Sequence, residues 1–204
     1  MDGIRTVIPM SDESKRISAE DISSQIQPAA FLASPVARDA MGFSLPRYED
    51  LPALELYRDQ VISFIEEVFA PLSAWSDGPW LTPAMVNNYV KAGVVPPPVK
   101  KRYGREHVAK LLAVCVMKQL LPIAAIQRLM RAQSITYPVD VSYCYLATEV
   151  NNALIAAFNP GEPSPEDTAT TITRETMLVH SVAGAFAARA YLMSYLSYAG
   201  YEGK

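Results

Sequence analysis

Three consecutive prolines, Pro96, Pro97 and Pro98, interrupt a stretch whose neighbours on both sides are helical in pattern. Each proline fixes φ and removes a backbone donor, so the run has to be extended. Upstream, Thr82 and Pro83 are a helix start, because a Thr hydroxyl accepts from the free N–H groups of a first turn and proline's missing N–H is harmless there. Met85, Val86, Tyr89 and Val90 then supply an apolar stripe at 3/4 spacing. Gly93 stands where a helix end takes a residue of positive φ. Downstream come Lys100, Lys101, Arg102 and Tyr103, and a new helix opens near Arg105. The predicted order is a short helix over 82–92, an extended basic segment over 96–103 and a long helix.

That order and spelling resemble the DNA-reading half of a MerR-type winged helix-turn-helix protein. The matching residues are Tyr89, Lys91, Gly93, Val94, Val95, Pro96, Pro97, Arg102 and Tyr103, continuing through Val108, Leu111, Leu112, Lys118, Gln119, Leu120 and Ile126. The string MVNNYVKAGVVPPPVKKRYGREHV looks still more like a bacterial MerR-like family catalogued as a domain of unknown function, over roughly residues 46–133. The resemblance implies an all-α fold, with a winged helix-turn-helix domain followed by a C-terminal helical pair. This chain departs from the MerR pattern in three places. Asn87 and Asn88 replace an Arg-Tyr pair on the recognition helix, the wing is short, and Gly104 stands where a capping Ser or Thr is usual.

Charge agrees with a polyanion partner. The chain carries a formal net charge of −3, yet between Leu81 and Arg131 nine basic residues face one acid, Glu106. A local basic block can neutralise phosphates on an otherwise anionic molecule, although the same block also suits a solvated helical face. On the DNA reading, Thr82 sets the recognition-helix N-terminus at a phosphate, and Asn87 and Asn88 hydrogen-bond adenine or phosphate. Lys91, Lys100, Lys101, Arg102 and Arg105 supply backbone contacts, with Tyr103 as wing anchor or core tyrosine. That reading makes double-stranded DNA the expected partner and transcriptional regulation the expected function.

The remaining chain is predicted as follows. Residues 1–44 are polar and aperiodic, an arm or peripheral segment; residues 45–133 form the winged domain; residues 134–204 form a helical dimerisation or effector region. Leu54, Tyr57, Val61, Ile65 and Val68 share one helical face, and Trp75 and Trp80 in the following linker plug the core edge. Val108, Leu111, Leu112, Cys115, Val116 and Leu120 make a buried face, and Pro122 separates it from a helix bearing Ile123, Ile126, Leu129 and Met130. Val139, Tyr143, Leu146, Val150, Leu154 and Phe158 form another stripe. Ser164, Pro165 and Asp167 read as the start of a last helix reaching Tyr198, whose Ile172, Val179, Phe186 and Met193 are spaced by seven. Its small residues Ala183, Gly184, Ala187 and Ala188 favour close helix approach, so a homodimer through the C-terminal helices competes with burial inside one chain. Arg189 and His180 argue against a membrane span.

No glycine-rich phosphate loop, CxxC or HExxH pair, or G-x-S-x-G elbow occurs, so no enzyme, cofactor or metal is assigned. Glu66-Glu67 and Glu166-Asp167 read as surface or helix-start acids, and His107 has no ligand-spaced partner. Cys115 and Cys144 in apolar patterns indicate free thiols and a cytoplasmic setting, and the first residues lack the apolar run of a signal peptide. Two further readings stay open. One is a winged protein-interaction or accessory factor that does not bind DNA. The other is a sensor of a small-molecule or protein effector, with Tyr143, Tyr145, Phe158 and Tyr191 lining a pocket.

Overall fold

A computed structural model describes residues 29–75, 78–159, 163 and 166–200. The fold is mostly helical and is organised around α5 (Arg105–Met117), in which Val108, Ala109 and every residue from Leu111 to Met117 is buried. A helix whose last seven residues are apolar on every side has to be enclosed there. Its jacket is α3 (Arg58–Phe69), α7 (Val139–Ala157) and α8 (Arg174–Ala199), together with the strand Arg102–Tyr103. One buried cluster runs from Phe31 to Ala190, so the predicted boundaries at 44/45 and 133/134 do not interrupt the core.

Residues 1–28 of the predicted arm lie outside the described residues. From residue 29 the chain is helical and buries one face, through Phe31, Ser34, Ala37 and Ala40: α1 (Ala29–Leu32) and α2 (Pro35–Gly42) pack together, and α2 lies against α8. Ser34 caps α2 by accepting from Ala37 N at 3.2 Å, with Pro35 at the first helical position. Phe31 is fully buried, its ring 5.2–6.2 Å from those of Phe158, Tyr191, Tyr195 and Tyr198. Asn151 of α7 holds the next stretch through both amide atoms. Its Oδ1 accepts from Leu45 N at 2.8 Å, and its Nδ2 donates to Leu45 O at 3.1 Å.

The predicted 54–68 helix begins later than its stripe suggests. Leu54 and Tyr57 are exposed, at 80% and 51%, while Val61, Ile65 and Phe69 carry the buried face of α3. Leu56–Tyr57 is instead a two-residue strand, β1, antiparallel to Arg102–Tyr103, β2. Gln60 accepts the Tyr57 N–H at 2.9 Å and starts the helix there. A 3-10 segment, Ala70–Trp75, follows α3. The side chain of Trp75 lies outside the described residues. Trp80 is buried, its ring stacked on Phe69 at 4.3 Å. Glu66, read as a surface acid, accepts Leu81 N at 2.8 Å and ties α3 to the next helix.

α6 (Ile123–Thr136) follows Pro122 and buries Ile126 and Met130. α7 buries Tyr143, Leu146, Val150 and Leu154, as its stripe predicts. α8 starts at Arg174, later than Ser164, Pro165 and Asp167 suggest. Thr173 accepts from Thr176 N at 3.2 Å and donates its own N–H to the Thr176 hydroxyl at 2.8 Å, so the helix cap forms there. Residues 164 and 165 lie outside the described residues, and Asp167 is held in the connecting segment by other partners. α8 buries Val179, Ala183, Phe186, Ala187 and Ala190, whereas Ile172 is exposed and precedes the helix. The small residues thus split: Ala183 and Ala187 face the core, and Gly184 and Ala188 face outward. Among the described residues no helix is long and apolar enough to cross a membrane.

Candidate nucleic-acid interface

The short helix α4 (Pro83–Lys91) has the predicted ends. Thr82 Oγ1 accepts from Met85 N at 3.2 Å, and Gly93 has φ +68°, where a side chain would be strained. Val86 and Tyr89 are buried, which turns Asn87, Asn88 and Lys91 outward into solvent. Beyond the cap, Val94 N donates to Tyr89 O at 2.9 Å, and Gln127 of α6 donates to Ala92 O at 2.5 Å. The end of α4 is therefore fastened both to its own last turn and to α6.

The prolines lead into a tight hairpin. Val99 and Arg102 exchange backbone hydrogen bonds of 3.1 and 2.8 Å, and the two residues between them, Lys100 and Lys101, have φ of +49° and +63°. A two-residue turn with positive φ at both centres ordinarily takes Asn-Gly or Asp-Gly. Both lysines are exposed.

The rest of the hairpin is built inward. The Arg102 guanidinium lies 3.8 Å from the centre of the Tyr57 ring and Nη1 reaches Glu55 O at 3.4 Å, so Arg102 clasps β1. Tyr103 is only 5% exposed, and its ring meets His107 edge-on at 5.5 Å. The ring belongs to the buried core cluster, the surroundings of the core tyrosine that was the second of its two predicted roles. Arg105 is half-buried, 5.6 Å from the Tyr48 ring. His107 makes the one half of a capping box that needs no side chain at Gly104: Nδ1 accepts from Gly104 N at 3.1 Å, which leaves the proton on Nε2 to donate to Pro97 O at 3.3 Å. One imidazole thereby joins the start of α5 to the proline run.

Several bases of the 81–131 block are spent internally. Lys110 pairs with Glu106 at 2.7 Å, and Lys118 donates to Trp80 O. Lys91, Lys100, Lys101, Arg128 and Arg131 are exposed.

Of the four aromatics proposed for an effector pocket, Phe158 and Tyr191 surround Phe31, and Tyr143 is buried with its hydroxyl donating to Pro46 O at 2.9 Å. Tyr145 does line a cleft, of about 350 Å³, with Gln133, Tyr137, Val141, Thr170 and Thr176. Beside it lies a cluster that no sequence motif announces. Glu149, 1% exposed, accepts from Thr168 N at 3.0 Å and from the Thr168 hydroxyl at 2.5 Å through Oε1, and faces His180 Nδ1 at 2.5 Å through Oε2. Asp167 accepts from the Tyr145 hydroxyl at 2.6 Å and from Ala169 N at 2.8 Å. The Tyr145 hydrogen bond holds the Asp167 carboxyl below its ordinary range, and burial pushes the Tyr145 phenol up. The one sequence signal was Glu149 itself, an acid on the same face as Leu146 and Val150.

Residues 46–145 match the model of a family described as a domain of unknown function, DUF1836. The matched segment starts at Pro46, the carbonyl partner of Tyr143, and ends inside α7. It holds α4, the hairpin and the whole of α5 and α6. No curated protein and no solved structure matches the chain.

Proposed function

We propose that the protein is a double-stranded DNA-binding regulator of MerR-like, winged helix-turn-helix type. In this reading α4 is the recognition helix and the Val99–Arg102 hairpin is the wing. The observation that carries it is the pair of exposed lysines held at positive φ at the hairpin tip. A left-handed conformation costs an L-residue roughly 1–2 kcal/mol, and Asn-Gly would make the same turn more cheaply. Strain kept at a solvent-facing tip favours a use for the two charges outside the fold. Asn87, Asn88 and Lys91 present amide and ammonium groups suited to base edges and phosphates. Arg102, Tyr103 and Arg105 stiffen the wing, and the Thr82 hydroxyl caps the helix whose N-terminus approaches a phosphate.

Two half-sites require two reading heads, and α8 offers a surface for pairing them. Leu178, Ala185 and Leu192 recur every seven residues on its outer face, all exposed, with Ser181 and Ala188 between them. The regulator is accordingly proposed to be a homodimer through α8.

The test is a salt titration of binding to duplex DNA, comparing wild type with a Lys100→Asn/Lys101→Gly variant that removes charge while suiting the turn. Binding should weaken steeply with salt, and the variant should lower the log–log slope by roughly 0.9 for each phosphate that the wing no longer neutralises. Equal affinity and slope for the two proteins would remove the wing from the mechanism. Absence of duplex binding at low salt would leave the accessory-factor reading in its place.

A further inference from the structure

We propose that Glu149, Asp167 and His180 form a binding site for a divalent first-row transition ion, of which Zn²⁺ is the representative probe. The proposal is independent of the nucleic-acid reading, since all three residues lie on α7, on α8 or between them. One donor atom from each residue lies within 4.8 Å of the other two, near enough for all three to reach a single ion. Mixed imidazole and carboxylate donors suit zinc and its neighbours better than magnesium or calcium, which take oxygen sets.

An internal ion pair between His180 and Glu149 accounts for only part of the arrangement. Asp167 brings a second carboxylate to the same place, although Glu149 is already removed from water at 1% exposure. The cluster brings two carboxylates and one imidazole together, so its side chains supply at most one positive charge, whereas a divalent ion balances both carboxylates. The carboxylates are also oriented from behind. Thr168 holds Glu149 Oε1 and leaves Oε2 toward His180, while Tyr145 and the Ala169 N–H fix Asp167. Ligand-orienting partners of this kind are what a metal site needs in addition to its donors.

Access comes from the other two members. Asp167 and His180 are half-buried, and the 350 Å³ cleft shares Tyr145, Ala169 and Thr176 with the surroundings of the cluster. Three protein ligands leave coordination positions for water or a small anionic ligand.

The experiment uses the full chain, free of any affinity tag and treated with chelator, titrated with Zn²⁺ by calorimetry and with Co²⁺ by visible absorption. One ion per chain is expected, with His180→Gln and Asp167→Asn each weakening binding about tenfold or more. His107→Gln and Cys144→Ser should leave affinity and the Co²⁺ spectrum unchanged, since neither residue belongs to the cluster. Circular dichroism establishes that each variant is folded. Should Glu149→Gln fail to fold, the two half-buried positions decide the matter. A folded wild type that binds neither ion overturns the proposal, as does binding that the His180 and Asp167 substitutions leave within a few-fold.

Discussion

Lys100 and Lys101 sit in a backbone conformation that glycine and asparagine adopt more readily, so the tip of the hairpin gives up stability. The Lys100→Asn/Lys101→Gly variant should therefore be more stable than wild type in urea by roughly 1–2 kcal/mol, even as it binds DNA more weakly. A variant that is both less stable and unchanged in DNA binding would contradict the account on both counts. The two cysteines make a second contrast at this scale. Burial pushes the Cys115 thiol up to about 12, against the opposing pull of Lys118, while Cys144 is half-buried. A thiol-specific disulfide reagent at pH 8 should label Cys144 in the native protein and reach Cys115 only after unfolding; rapid labelling of both would refute the buried position. The raised Cys115 value also fixes a pH dependence. Its contribution to stability is complete below the ordinary thiol value of about 8.5 and is lost as pH rises toward 12, because the unfolded chain ionises first.

At the scale of elements, the short α1 is held by one ring more than by its own hydrogen bonds. Four residues cannot sustain a helix alone, and Phe31 enters an aromatic cage made by the ends of α7 and α8. Phe31→Ala should lower unfolding free energy by about 3–5 kcal/mol in denaturant titration; a loss below about 1 kcal/mol would mean that the cage closes without it. Elements whose signals are local were legible in the sequence. α4 could be read because its cap, stripe and terminal glycine lie within a dozen residues of one another, and the extended approach to the hairpin because prolines force extension, whereas nothing in Lys100-Lys101 announces the turn. α1 could not be read, since Phe31 acquires partners such as Tyr195 only in the folded chain; α2 did carry a local start, Ser34-Pro35, of the kind that marked α4, and it went unread. β1 was concealed by a helical period that Leu54 and Tyr57 continue by accident of spacing. Asp167 resembled a helix start because Ser164 and Pro165 precede it, and only the fold brings it to Glu149 and His180. Of the candidate interface, the exposed asparagines and lysines were readable as types, but the inward clasp of Arg102 on Tyr57 required the pairing of two strands.

For the whole molecule, α5 decides what can stand alone. The segment matching DUF1836 ends at residue 145, within α7, whereas α5 needs α7 and α8 on its flanks to be covered. A fragment of residues 46–145 should consequently lack the cooperative thermal transition of the full chain and bind a hydrophobic dye; a sharp, reversible transition of comparable midpoint would show that the matched segment is self-sufficient. The proposed dimer is checked by sedimentation, where Leu178→Glu/Leu192→Glu should shift the protein to monomer, and a wild type that is monomeric throughout would exclude pairing by α8. The Phe31 cage also governs the order in which the chain can mature on the ribosome. Tyr191, Tyr195 and Tyr198 emerge long after the ring they receive, so at ordinary synthesis rates Phe31 stays uncovered for roughly ten to thirty seconds. The first helix among the described residues is thus among the last to dock, and nascent-chain chaperones have that interval in which to hold it.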